Sequence, residues 1–270
     1  MEGRDLTKGN LVKNMINLLI PLLLTNLLNS IYNIVDAIWI GNLVGEDGVS
    51  AITNCYPLTL VVMAISTGLS IAVSVLVSQF YGAKQEENLK TVIGVSYITT
   101  ILIGIATAVF MIITSEIWLK LLNTPDEIFM ITKTYLIIYL IGYIFNFLLT
   151  VIMEALRAIG NSKVPLLFVG ISTTINLILD PIFIKLGYGV VGASLATLIA
   201  MALGTIIAIV YINKKSNLLK IDFKYFKFNK NYILKIVKTG FPVVLEEWFI
   251  SALIMLEVFI SNSSRCNRKC

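Results

Sequence analysis

Two aspartates, Asp36 and Asp180, stand inside long runs of otherwise uncharged, mostly apolar residues. An acid at membrane depth costs roughly 3 kcal/mol or more, needs a partner or a hydrated cavity, and marks a functional position by default. Asp36 closes a polar stripe with Asn26, Asn29 and Asn33, at steps of three, four and three that place all four on one helix face. Asp180 follows Thr173 and Asn176 at steps of three and four. Each acid lies five residues before the end of its run, at Gly41 and at Lys185, so the two carboxylates are expected at matched depth in a shared hydrated interior. Two carboxylates held close repel when both are ionised, so the pair is suited to share a proton. With the Asn176 oxygen they are equally suited to a sodium ion; no other metal is expected. Interhelical hydrogen bonding accounts for any single Asn or Thr among them.

Pro21, and Pro181 directly after Asp180, remove backbone hydrogen bonds and give helix bend points beside the acids. A later run carries Tyr135, Tyr139, Tyr143 and Asn146 on one broad face, and another carries Ser194 and Thr197. Tyr139 and Thr197 are expected to line the same cavity, with Tyr135 as an interfacial anchor. Ser66, Ser70, Ser74 and Ser78 repeat every four residues, a pattern of close helix packing. There is no histidine, and the three cysteines are Cys55, Cys266 and Cys270. No Cys/His metal centre or Cys-His dyad can be assembled from them. No nucleophile and base pair is visible either, so the chain is not expected to be an enzyme or to carry a cofactor.

The elements that must position these residues follow from composition. The 270 residues are 57% hydrophobic and 14% charged, with a mean hydropathy of +0.87. The apolar blocks are of bilayer length. An all-α polytopic transmembrane bundle is expected, with spans near 14–41, 53–81, 91–114, 134–156, 164–185, 190–212 and 239–261. With the N-terminus cytoplasmic, fifteen lysines and arginines fall on the inner side of the first seven spans against Lys120, Lys133 and Lys185 outside. That asymmetry sets the orientation in a cell membrane. Residues 1–212 are read as a six-helix lobe, 213–238 as a cytoplasmic basic linker resting on anionic headgroups, and 239–261 as the first helix of a second, incomplete lobe. Nucleic acid is not expected as the linker's partner. Residues 262–270 break the apolar pattern and are read as a non-native tail.

The first and seventh spans repeat one another. Ile20-Pro21-Leu22-Leu23-Leu24 is followed fifteen residues after its proline by Asp36, and Phe241-Pro242-Val243-Val244-Leu245 by Glu257 at the same distance. Repeated halves with a site at their interface are a common transporter plan. Glu246, Glu247 and Glu257 belong to the second half and receive no role.

Several segments together resemble the multidrug and toxic compound extrusion (MATE) family. They are Pro21 with Asp36 and Trp39-Ile40-Gly41, then Gln79-Phe80-Tyr81-Gly82-Ala83, then Leu156-Arg157-Ala158-Ile159-Gly160-Asn161-Ser162-Lys163-Val164-Pro165, and finally Asn176-Leu177-Ile178-Leu179-Asp180-Pro181. The resemblance covers residues 1 to about 260, the N-terminal lobe and the start of the C-terminal lobe, and so implies a truncated copy. It implies an antiporter that exports small amphipathic cations against inward proton or sodium movement, by alternating access between two lobes. It places the cation site at Asp36, Asn176 and Asp180, with Thr197 and Tyr139 as looser matches. The missing lobe would then come from another chain. A lipid-linked sugar flippase of the same superfamily is the alternative transport reading, disfavoured because the first six spans carry no Lys or Arg at mid-depth. A non-transporting membrane fragment is the third.

Overall fold

The computed structural model describes residues 10–226 and 228–269. Arg4, Lys8, Lys227 and Cys270 lie outside them, and of the expected 262–270 tail the side chains from Ser264 onward are likewise undescribed. The described residues form seven long helices: α1 (Leu11–Leu43), α2 (Glu46–Gly82), α3 (Glu86–Leu121), α4 (Asp126–Ala158), α5 (Lys163–Phe183), α6 (Gly189–Lys215) and α7 (Lys230–Lys269). A helix stands at each of the seven expected spans, most of them extended at both ends. Fencing each span by its charges trims residues that are helical outside the apolar stretch. Glu46 and Asp47, Glu86 and Glu87, and Asp126 and Glu127 sit in first turns, while Lys120, Arg157, Lys214 and Lys215 sit in last turns. Both placements complement the helix dipole.

Five helical stretches among the described residues are long and apolar enough to cross a membrane: 12–43, Glu46–Gly82, Glu86–Leu121, Asp126–Ala158 and Lys163–Lys215. The last is a hairpin. Its turn falls at Gly187, whose φ of 94° a side-chain-bearing residue rarely adopts. From there α5 and α6 run back along each other. Phe183 lies against Gly192, Asn176 against Thr197, and Phe168 meets Tyr211 edge-on at 5.6 Å. The chain is a multi-pass membrane protein.

α2 is the central helix, packed on α3, α4 and α7. The core between them holds Leu58, Tyr97, Leu136, Leu140, Tyr143, Phe147 and Ile152, all essentially inaccessible. α7 runs antiparallel along α2. Gly240 backs onto Gly68 so closely that a methyl group on either would overlap the other's backbone. Farther along, Trp248 Nε1 donates to the Val61 carbonyl at 3.2 Å, and Asn262 reaches Asn54. α7 therefore lies along α2 from near Phe80 to Asn54.

The connection between α6 and α7 is shorter than the expected 213–238, because helix continues to Lys215 and resumes at Lys230. Its aromatic residues are not all spent on headgroups. Tyr225 donates to Glu87, Tyr232 donates to Asn88 and stacks edge-on against Phe80, and the Leu219 carbonyl accepts from buried Tyr97 at 3.0 Å. The linker is bound to the first turns of α3 and the end of α2. Phe228 and the described lysines of the segment remain exposed.

Candidate functional site

α1 is held mainly by α5, and only a narrow stripe of it is covered. That stripe contains Pro21, Thr25, Tyr32, Asp36 and Ile40, spaced by three or four residues or their multiples. The Thr25 hydroxyl donates to the Pro21 carbonyl at 2.8 Å, one turn beyond the point where proline leaves a backbone acceptor unmatched. α1 stays helical through Pro21, and α5 through Pro181.

The covered stripe brings Asp36 onto Asp180. The two carboxyl groups are close enough to interact directly, near the end of α5 that leads into the Gly187 turn. Asp180 is 0% exposed, Asn176 3% and Thr197 5%. Asn176 links the other two. Its amide is best satisfied with nitrogen donating to Asp180 Oδ2 at 2.8 Å and oxygen facing the Thr197 hydroxyl and N–H, both at 3.2 Å. Asp36 Oδ1 is buried without a hydrogen-bond partner. Among the described residues, the ion pairs are Lys90–Glu86, Lys133–Glu116 and Arg157–Glu154. None supplies a cation to either aspartate.

Tyrosines complete the wall. Tyr32, one turn before Asp36, sits 3.5 Å from the Thr197 hydroxyl and interacts electrostatically with both aspartates. Tyr135 and Tyr139 on α4 are electrostatic neighbours of Asp36. Tyr135, Tyr139, Tyr143 and Phe147 stack in succession at centroid spacings of 6.2, 6.4 and 6.2 Å. Tyr135 is thus no interfacial anchor: it is 6% exposed and packs into the site, because the i, i+4 ladder of rings turns inward as a unit.

Of the residues singled out from the sequence, Asp36, Asn176, Asp180, Thr197 and Tyr139 come together, and Thr173 stands half-buried one turn before Asn176. Asn26, Asn29 and Asn33 do not join them. They are exposed on the neighbouring sector of α1, one position along from the covered Thr25, Leu28 and Tyr32. Both stripes have helical spacing, and packing against α5 selects the second. Tyr32 is the residue that sequence reasoning missed; its signal is its place four residues before Asp36. Glu246 and Glu257 are exposed on α7, and Glu247 is half-buried there. The site as built is an acidic, oxygen-rich cluster bordered by tyrosines, in which two carboxyl groups stand close together.

Comparison with known proteins gives this arrangement a family. The chain is 30% identical over 253 residues to "Probable multidrug resistance protein YoeA" of Bacillus subtilis, covering 91% of this chain and 55% of that protein. It is 28% identical over 239 residues to "Multidrug export protein MepA" of Staphylococcus saprophyticus, covering 88% and 53%. Its fold superposes with a TM-score of 0.84 on a structure described as an outward-facing conformation of a multidrug resistance MATE family transporter of the MOP superfamily, at 25% identity, covering 92% of this chain and 55% of that one. The chain thus spans a little over half the length of the proteins it matches. Residues 21–182, which include the Asp36–Asp180 pair and all of α2, α3 and α4, match the MatE family, and the chain belongs to it.

Proposed function

We propose that residues 1–270 form the cation-coupling half of a secondary active multidrug exporter, with the N-terminus cytoplasmic and a second lobe, supplied outside these residues or by another chain, completing the cleft. The carrying observation is the buried contact between Asp36 and Asp180, without a Lys or Arg partner among the described residues. Two carboxyl groups stay in direct contact only with a proton or a cation between them. An inward-moving proton or sodium ion fits that place, with the Asn176 nitrogen holding Asp180 Oδ2 in position. When the pair is empty its charge favours a small amphipathic cation against the tyrosine wall. When it is filled that attraction is lost, and α1 shifts, with Pro21 as its hinge. The names of the matched relatives support drug export as the activity. This is a transporter of the MatE family rather than an enzyme.

The test is binding of tetraphenylphosphonium to the purified chain, measured by equilibrium dialysis across pH and sodium concentration. Wild type should release the probe as protons or sodium ions are added. Asp36→Asn and Asp180→Asn should each remove that competition while helix content is kept. Normal competition in both variants overturns the coupling reading.

A further inference from the structure

On its exposed side α6 carries a groove of about 340 Å³, lined by Ile206, Ile207, Val210 and Tyr211 and ended by Lys214 and Lys215. The lining falls into two i, i+4 rows, so the groove follows the helix axis for about 13 Å. Ile206 is 52% and Val210 45% exposed, an apolar surface that water covers poorly. At the charged end the lysines do not stand alone. Lys163 opens α5 at the same level, since Phe168 and Tyr211 bring the two helices together one to two turns inside.

The linker adds to this end from a fixed position. Its Ile221 N–H donates to Asn213 Oδ1 of α6 at 2.9 Å, and Leu219, fully buried, is bonded through its carbonyl to Tyr97. Exposed Lys220, between them, is therefore held beside the end of α6 rather than on a loose loop. Between Asn213 and Lys238 the sequence has eight lysines against one acid, Asp222, whose carboxylate accepts from the Lys224 N–H.

We propose that this groove is a binding site for an anionic phospholipid, with one acyl chain along Ile206 to Tyr211 and the phosphate on Lys214 and Lys215. No acid lines the groove to favour a choline or ethanolamine headgroup, and its apolar floor gives a free phosphate nothing to bind. The lysine stems continue the apolar wall while their amines reach the headgroup level. The site is independent of the aspartate pair and of what is exported.

Native mass spectrometry of the full chain in detergent tests it, with phosphatidylglycerol and phosphatidylcholine of identical chains. Wild type should retain phosphatidylglycerol at least fivefold better. The double variant Lys214→Gln, Lys215→Gln should bring that ratio near one. Val210→Trp, which fills the groove and leaves both lysines, should lower phosphatidylglycerol retention to the same extent. Lys120→Gln at the opposite membrane face should leave the ratio unchanged. An unchanged ratio in the double variant, an equal loss in Lys120→Gln, or displacement of the lipid by glycerol phosphate alone overturns the proposal. Circular dichroism on each variant separates loss of the site from loss of fold.

Discussion

Asn262 of α7 donates to the side-chain oxygen of Asn54 of α2 at 2.6 Å, across 208 positions of sequence. The same amide donates to the Leu122 carbonyl at 2.6 Å, and Thr124 donates to Asn54 at 3.3 Å, so one buried cluster ties α7 to α2 and to the α3–α4 turn. Asn262→Leu leaves the Asn54 oxygen with its weaker donor only. The expected cost is roughly 0.5–2 kcal/mol, the range for a buried hydrogen bond in water or membrane. Thermal unfolding in detergent checks it, with the midpoint falling in Asn262→Leu and partly recovering when Asn54→Leu is added. An unchanged midpoint would mean that Gly68 and Gly240 hold α7 without help.

Asn176 separates a coupling role from a packing role. Replacing it with Leu keeps the volume but removes the donor to Asp180, whose carboxyl is fully buried. Without that donor the ionised carboxylate is less well stabilised, so the proton concentration that half-displaces tetraphenylphosphonium should fall about tenfold, equivalent to about 1.4 kcal/mol. Thr197→Val, which disturbs only Asn176's far side, should shift it less, about threefold in the same direction. Both are read from that proton concentration. A shift in thermal stability without a shift in that concentration would leave Asn176 a structural residue.

Much of this arrangement was legible in the sequence because lipid leaves little choice. Apolar runs of bilayer length must be helices. An acid within such a run must find company, which is why Asp36 and Asp180, at equal distances from their helix ends, could be set at one depth before any contact was known, while whether they face each other could not. What stayed hidden was rotation about the helix axis. Asn26, Asn29 and Asn33 read as the partner stripe of Asp36, yet the covered sector is the adjacent one with Thr25 and Tyr32, about 100° away. Polarity marks a hydrated face and an interhelical face alike, and only packing distinguishes them. Tyr135 was misplaced for a similar reason, since a tyrosine near a helix end suits both an interface and a buried ladder. The linker's attachment to α3 was equally unreadable, resting on single side chains such as Tyr97 meeting distant backbone.

Tyr97 provides a test of that attachment. It is 1% exposed, and its hydroxyl donates to the Leu219 carbonyl at 3.0 Å. Tyr97→Phe keeps the ring and deletes the bond, which is worth about 1 kcal/mol. Local opening of the linker should then be about fivefold more populated, because cleavage of a transiently opened segment follows its opening free energy. Limited trypsin digestion at Lys220 and Lys224 should speed up by that factor. Cleavage at Lys84, in the α2–α3 turn, should keep its rate. Equal acceleration at both places would point to general loosening instead.

Tyr225 makes the same attachment depend on pH at the alkaline end. Its hydroxyl donates to both oxygens of the Glu87 carboxylate, at 3.1 and 3.0 Å, with Lys224 over its ring. Ionising the phenol would break those bonds and set it beside the carboxylate, so its pKa is raised above the ordinary value of 10.0. A raised value in the folded state means that the contact contributes fully below the unfolded phenol's pKa, and is lost as pH rises through the folded one. In spectrophotometric titration near 295 nm, the difference between wild type and Tyr225→Phe should therefore show a phenol ionising later than free tyrosine. Glu87→Gln removes the opposing charge and should return that ionisation toward the ordinary value. If Tyr225 titrates normally with Glu87 present, the linker is not seated on α3 through this pair.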